Sequence, residues 1–426
     1  MTENFEAKKE IKQNNLEAES WKPYFTYLTI YLSIFTFFYF FAITYRIFTI
    51  NEIAAYLLNV NVKDMPFIFG FIGIGTLFVM FTRRIADLPA IGRKKATIIY
   101  GVVSLSFYLL SYFMYNVILF ILIRLIGVMF AINLSSLIVS EEVPAKYRGR
   151  VSGIILGFGM MSSLLASYFS MLFDIFPANT WQLIFLFVNI PGIILIILLG
   201  LKMKETRRFE SIKGQNKNSR LFGIFTKKNF KPLLLCSLIV LFIGQIFLTI
   251  KSYFKPYLLE LGYSLQDIGI LAIFAYIGSI IGYYASGFLS DHFGRKKAIF
   301  ISLSIYFVGS IFFLFFIPYY FINIGFFIVN LTFSIFYTTG ELLSAEFFPT
   351  AERSTAMGWI TFFSSIGTII GSLIITPISY LIGWQGVFLL IGNIGILGVI
   401  ISIIFLPETK GRVLEEIVYT EIDHVT

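Results

Sequence analysis

The sequence predicts an all-α membrane protein in which twelve spanning helices form two parallel six-helix repeats. Three observations carry this: an apolar composition, twelve apolar windows of spanning length, and short marks that recur at a nearly constant offset. Of 426 residues, 57% are hydrophobic and 13% charged, with 50 Phe and 24 Tyr. Soluble domains are about 45–50% apolar and about 25% charged.

The windows come first. Tyr24–Ile43, Val117–Val139, Leu233–Ile250 and Gly386–Leu406 each carry at most one charge. About 20 apolar residues at ~1.5 Å rise span a ~30 Å hydrocarbon core. Segments fall at about 24–45, 65–82, 96–115, 117–139, 151–173, 182–201, 233–253, 266–289, 298–316, 321–341, 356–377 and 386–406. Little more than Asn116 divides the third from the fourth. The first follows a polar tail with five Glu and lacks a small-residue cleavage pattern, so it is expected to be a membrane span and not a cleaved leader.

Lys and Arg give the orientation. With the N-terminus in the cytoplasm, 28 of the 33 fall in the tail and the inner loops. Arg46, Lys63, Lys251 and Lys255 fall at the other face, and Arg124 inside a segment. The positive-inside rule then places both termini in the cytoplasm. The net charge of +9 is read as this orientation device, with no nucleic-acid partner. The Ile-, Lys- and Phe-rich usage points to a prokaryote and hence to the plasma membrane. A single cysteine, Cys236, excludes an internal disulfide.

The recurring marks give the repeat. GRKKA at Gly92–Ala96 returns unchanged at Gly294–Ala298, 202 residues on. WQLIF at Trp181 answers WQGVF at Trp384, and Glu205-Thr206 answers Glu408-Thr409, each 203 on. Glu141, Pro144 and Arg148 answer Glu346, Pro349 and Arg353, 205 on, and Tyr56-Leu57-Leu58 answers Tyr257-Leu258-Leu259, 201 on. The chain therefore divides into a cytoplasmic tail (1–23), a six-helix bundle (24–201), a basic cytoplasmic linker (202–232), a second bundle (233–406) and a C-terminal tail (407–426). Six segments per half give both copies one orientation, so the repeats are parallel about an axis along the membrane normal and enclose a cleft at midplane.

Gly287–Lys297, reading GFLSDHFGRKK, resembles the loop after the second and eighth helices of the major facilitator superfamily. SEEVPAKYRGR (Ser140–Arg150), AEFFPTAERSTAMG (Ala345–Gly358) and LPETKGRVLEE (Leu406–Glu416) are similar to its sugar porters and their organic-ion and metabolite–proton symporter relatives. The resemblance covers about 24–416. It implies gating motifs at the cytoplasmic surface that hold the halves together and release them as they rock: Asp87, Gly92, Arg93, Glu141 and Arg148 in the first half, and Gly287, Asp291, Gly294, Arg295, Glu346 and Arg353 in the second. The first copy departs from the pattern. Four residues separate Asp87 from Gly92, and Arg83 stands where Gly is expected, which leaves that lock in question. Small-residue spacings at Gly153/Gly157, Gly278/Gly282 and Gly367/Gly371 fit close helix approach, and the resemblance places those helices across the two halves.

Polar residues inside spanning segments point to a site. Arg124 lies two turns into the fourth segment, where a central Arg costs ~2.5–3.5 kcal/mol on insertion, and Gly127, Ala131 and Ser135 share its face. Asn330, Ser334, Tyr337 and Glu341 share a face of the tenth at helical periodicity. Thr29, Ser33 and Thr36 mark the first, and Gln245, Thr249 and Ser252 the seventh. Segments one, four, seven and ten are the helices that the resemblance places around the central cavity. Arg124 reads as a receptor for an anionic group or as a structural hub. Glu341 reads as the proton-coupling carboxyl or as part of the cytoplasmic cluster. The Ser/Thr stripes read as cavity lining or as back-bonding to their own helices. The first segment lacks the acid common in proton-coupled sugar porters, the fifth lacks the Gly-Pro of drug antiporters, and Tyr337-Thr338-Thr339-Gly340 stands where relatives have Gly-Pro.

The expected function is a monomeric secondary transporter that moves a small organic solute, an organic acid or a sugar, by alternating access with proton symport. A uniporter or a drug or metabolite exporter of the same fold is the alternative, and a non-transporting membrane sensor is the alternative of another class. No metal-ligand pattern, nucleophile elbow or phosphate loop is present, so neither enzyme chemistry nor a cofactor is expected.

Overall fold

The computed structural model describes residues 20–171, 180–212, 224–246, 250–315, 319–348, 353–405 and 408–409. α1 (Pro23–Phe48) starts on a proline, whose missing N–H is one of the orphans of a helix start. α2 runs as Met65–Leu77 and Val79–Arg84 into a 3-10 turn, Ile85–Asp87. α3 (Gly92–Ser111) and α4 are parted by a turn in which Asn116 Oδ1 accepts from Ile118 N at 2.9 Å and Leu119 N at 3.1 Å. This one polar residue is what divides the third and fourth segments. α5 is Arg148–Met171, and α6 (Thr180–Lys202) leads to a short helix, Arg207–Ile212.

α8 (Leu265–Phe293) opens on a capping box in which Ser264 and Asp267 satisfy each other's backbone N–H groups. α9 (Arg295–Phe315) and α10 (Tyr319–Glu346) follow. The helix Arg353–Val387 turns at Gly383, where φ is 69°. We call the part before that turn α11. The part after it, with the π turn Phe388–Gly392 and the helix Asn393–Ile404, is α12.

Two spans differ from the continuous helices expected. α4 is in two pieces, Val117–Met129 and Ser135–Glu142. Asn133 Oδ1 accepts from Ser135 N at 2.9 Å, a local bond that competes with helix continuation and caps the second piece. α7 is described as Lys227–Ile246 and, after 247–249, which lie outside the described residues, as a π turn at 250–251 and the helix Ser252–Glu260, which is kinked. Tyr253 leaves the helical region at φ −120°, and Pro256 withholds the N–H that would bond to the preceding turn.

Eight helices among the described residues are long and apolar enough to cross a membrane; α3 and the pieces of α4, α7 and α12 are not among them. Large apolar side chains cover the outside, with Phe187 72% and Leu381 81% exposed. Only a bilayer satisfies such a surface. Within each half α1 packs on α5, α8 and α9 on α10, and α7 on α11, while α5 against α8 and α2 against α11 form the seams between halves.

The glycine spacings divide between these roles. Side chains at Gly153 and Gly157 would meet Tyr283 and Tyr284 of α8, across the seam. Side chains at Gly278 and Gly282 would meet the backbone of α10, and one at Gly367 would meet Leu241 of α7, both within the second half. The helices meet across the halves as expected, at α5 against α8 and α2 against α11, but of these glycines Gly153 and Gly157 face the other half while Gly278, Gly282 and Gly367 pack within their own. A Ser/Gly face suits any tight neighbour, so spacing alone does not name it.

Candidate functional site

Each GRKKA copy builds the same clasp. In the first, Gly92 turns the chain at φ 69°, and a Cβ there would strike the Glu205 carboxylate. Glu205 accepts from Arg93 N at 2.9 Å and Lys94 N at 3.3 Å, a carboxylate seated on the start of α3. Arg93, fully buried, donates through Nε and Nη2 to Glu141 at 3.0 and 2.9 Å and through Nη1 to the Ala86 carbonyl at 2.7 Å. Its Nη1 lies 3.0 Å from Asp87 Oδ1, and Thr206 Oγ1 donates to Glu141 at 2.7 Å.

The second clasp repeats the first except that the arginine holds its glutamate through Nη2 alone. Gly294 turns at φ 95°, and Glu408 accepts from Arg295 N at 2.8 Å and Lys296 N at 3.1 Å. Arg295 reaches the Ser290 carbonyl at 3.0 Å and Asp291 and Glu346 at 3.3 Å each, while Thr409 Oγ1 donates to Glu346 at 2.6 Å. Arg148 Nε and Arg353 Nε likewise serve equivalent carbonyls, of Val143 at 3.0 Å and Phe348 at 3.1 Å. The acids of the Glu–Pro–Arg marks therefore pair with the GRKKA arginines, and the arginines of those marks brace their own loops.

The first lock, left in question by its spacing, is fully built, because the 3-10 turn at Ile85–Asp87 and the turn after it take up the two extra residues. It also crosses the seam. Asp87 Oδ2 accepts from Thr355 N at 2.8 Å and Thr355 Oγ1 at 2.7 Å at the start of α11, and Ser354 Oγ donates to the Arg83 carbonyl at 2.8 Å. Arg353 Nη1 stands 3.6 Å from Glu141 Oε1. On the other seam Gly287 lies against the Gly149 carbonyl, and the Asp291 carboxylate packs over Gly149. This basic face is closed.

The opposite face is closed as well. Lys255, on the second piece of α7, pairs with Glu52 beyond α1 at 3.0 and 3.1 Å and donates to the Phe48 carbonyl. Lys251 and Lys255, expected as surface charges, are 3% and 1% exposed. The two flank the kink at Tyr253, which a hydropathy window does not register. Breaking a buried pair costs about 3–5 kcal/mol, so Lys255→Met should lower the thermal midpoint clearly. The exchange Glu52→Lys with Lys255→Glu should recover much of it; an unshifted midpoint in Lys255→Met would contradict the pairing.

Between the two seals runs a polar line along α10. Asn330, Ser334, Tyr337 and Glu341 share one face as expected. Ser279 Oγ of α8 donates to Asn330 Oδ1 at 3.3 Å, Ser334 Oγ to the Asn330 carbonyl at 2.9 Å, and Tyr337 OH to Glu341 Oε1 at 2.9 Å. Glu341 opens on a small pocket with Ser135, Ser136, Ser152 and Thr338, and lies close enough to Arg83 of α2 to interact electrostatically. Ser135 and Glu341 thus meet between the halves. Arg83, which no spacing argument places here, is 8% exposed in the same region.

Other expected members stand apart. Arg124 donates to Ser111 Oγ at 3.1 Å and lies 5.2, 5.3 and 5.5 Å from the rings of Tyr108, Tyr112 and Phe120, all on α3 and α4. Thr29 and Thr36 donate to carbonyls of their own helix at 2.7 Å, and Thr36 also accepts from Asn133 Nδ2 at 3.2 Å. Ser33 is buried. The side chain of Gln245 and the whole of Thr249 lie outside the described residues.

The family models match the two halves in turn: "Sugar (and other) transporter" over residues 63–229 and "Major Facilitator Superfamily" over residues 249–417. Among curated proteins, the glucose transporter GlcP of Staphylococcus epidermidis is 45% identical over 74 residues, which is 17% of each chain. The putative niacin/nicotinamide transporter NiaP of Bacillus subtilis is 24% identical over 357 residues, 76% of this chain and 82% of that one. The proton:xylose symporter XylE, solved with 6-bromo-6-deoxy-D-glucose, superposes with a TM-score of 0.70 at 19% identity, covering 92% of this chain and 98% of that one. The human organic anion transporter MFSD10 superposes at 0.67 and 13% identity, over 90% and 100%. With the duplicated clasps, the helical architecture and a family model on each half, the chain belongs to the major facilitator superfamily, as a transporter similar to its sugar porters.

Proposed function

We propose that the protein carries a small organic solute, an organic acid or a sugar, through the bilayer by alternating access in symport with protons. The observation that carries this reading is the pair of seals. Each joins the two halves through a few ionic and hydrogen-bonded contacts, so each can open while the halves themselves stay intact. A carboxyl that can take up a proton, Glu341, lies between them. The basic face is the cytoplasmic one, with both termini on that side, and the unit is a monomer in the plasma membrane. The names of the relatives, a glucose transporter and a niacin/nicotinamide transporter, support a small metabolite as cargo.

The test is Glu341→Gln in proteoliposomes. The amide keeps the Tyr337 hydrogen bond but cannot carry the proton. Uptake driven by a pH gradient should fall to the undriven level, while exchange of labelled for unlabelled solute continues. Driven uptake that survives the substitution would remove Glu341 from coupling and favour a uniporter.

A further inference from the structure

Beside the kink in α7 at Tyr253 sits an unanswered charge in the protein interior. Lys251 is 3% exposed, and its ammonium lies 4.5 Å from the Phe333 ring and 5.9 Å from the Tyr276 ring. Its hydrogen bond to Ser279 Oγ is long, at 3.4 Å. Among the described residues no carboxylate comes within ion-pair distance of it. An ammonium has three donors, and one weak bond to a neutral hydroxyl does not offset the loss of water around a buried charge. Lys255, one turn on, shows what a satisfied lysine looks like here: it has both oxygens of Glu52 and a carbonyl. The aromatic faces attract the cation but do not neutralise it, and an anion would.

The surroundings restrict that anion. Tyr276, beside the ammonium, meets Phe48 edge-on at 6.1 Å, and Phe48 meets Phe254 edge-on at 5.7 Å. The nearby polar groups, Ser279 and Asn330, are already bonded to each other. A sugar needs a partner for each hydroxyl it buries, and this wall offers few; a flat apolar ring bearing one charge needs only the ammonium. Two residues on from Lys251, the backbone leaves the helical region at Tyr253, where φ is −120°; non-helical backbone inside a membrane is tolerated where it is buried in protein or lines a cavity.

We propose that Lys251 is the receptor for the carboxylate of a small aromatic acid, which makes the cargo an organic acid. This deepens the transporter reading and rests on it. Phe333 stacks on Tyr337 at 5.6 Å, and Tyr337 donates to Glu341, so the anion site and the proton site lie at two ends of one contact line.

The experiment measures binding of benzoate and benzamide to the full chain in lipid nanodiscs, and in parallel the exchange of benzoate and glucose in proteoliposomes. Benzoate should bind the native protein at least about tenfold more tightly than benzamide, the size of one charge-assisted bond. Lys251→Met should lose that preference, and Lys251→Arg should keep most of it. The methionine removes a buried charge, so the fold is expected to hold, and the arginine variant separates charge from packing. Equal binding of acid and amide by the native protein, or undiminished benzoate binding by Lys251→Met, overturns the proposal. Exchange of glucose without any response to benzoate overturns the acid cargo and leaves the transporter reading standing. Benzoate bound through Lys251 but never exchanged supports the receptor and overturns transport.

Discussion

Arg93→Leu is expected to lower stability by about 3–5 kcal/mol, the loss that follows when one member of a buried ion pair is removed and its partners stay behind. The partners are Asp87 and Glu141, both with fully buried side chains, at 3.0 and 2.9 Å. The equivalent Arg295→Leu should cost less. Its contacts to Asp291 and Glu346 are 3.3 Å each, and the Asp291 side chain is 19% exposed, so water takes over part of the lost interaction. The ordering is the sharp part of the prediction. Thermal unfolding of both variants in one detergent checks it: equal shifts would mean that the first clasp is no more buried in practice than the second. Adding Asp87→Leu and Glu141→Leu to Arg93→Leu should return some stability, because an apolar replacement no longer strands the acids.

Gly287→Leu should stop transport while leaving each half folded. A Cβ at Gly287 would lie 2.7 Å from the Gly149 carbonyl oxygen and 2.8 Å from its carbon, and these are backbone atoms of the opposite half. The neighbour cannot rotate aside, so α5 and α8 must separate at the basic face. Gly282→Leu makes the matching control. Its Cβ would strike the Leu331 carbonyl within the same half, so it should reduce stability instead of holding one face open. Transport assays and melting curves on the pair separate these outcomes; full transport by Gly287→Leu would show that the seam need not close.

Much of this was legible because the sequence writes it twice. GRKKA, Glu141/Glu346 and Glu205/Glu408 recur at nearly one offset, and the structure assembles them into two clasps with matching hydrogen bonds. What the marks could not reveal is which acid meets which base, since the Arg93 guanidinium reaches Glu141 across 48 residues and local spacing says nothing about such a contact. The α10 stripe was legible because an unbroken helix keeps its periodicity. Lys251 and Lys255 were not, because the windows treat α7 as one straight cylinder and do not register its kink at Tyr253, which the two lysines flank. Arg124 stood out for its insertion cost, yet Ser111 and three rings on neighbouring turns hold it within the first half. Cost marks a residue as needing partners; it does not say whether they are a ligand or the protein.

The central claim is that the two seals open in turn, and distances between spin labels test it without any cargo. One pair replaces the exposed Lys95 and Lys297 on the basic face, and the other Tyr56 and Gln266 on the opposite face, in a chain whose single native cysteine, Cys236, has been replaced. Gly287→Leu should lengthen the first distance and leave the second short. Lys255→Met should do the reverse. Variants that lengthen both distances together, or change neither, would contradict alternating access as the way this protein works.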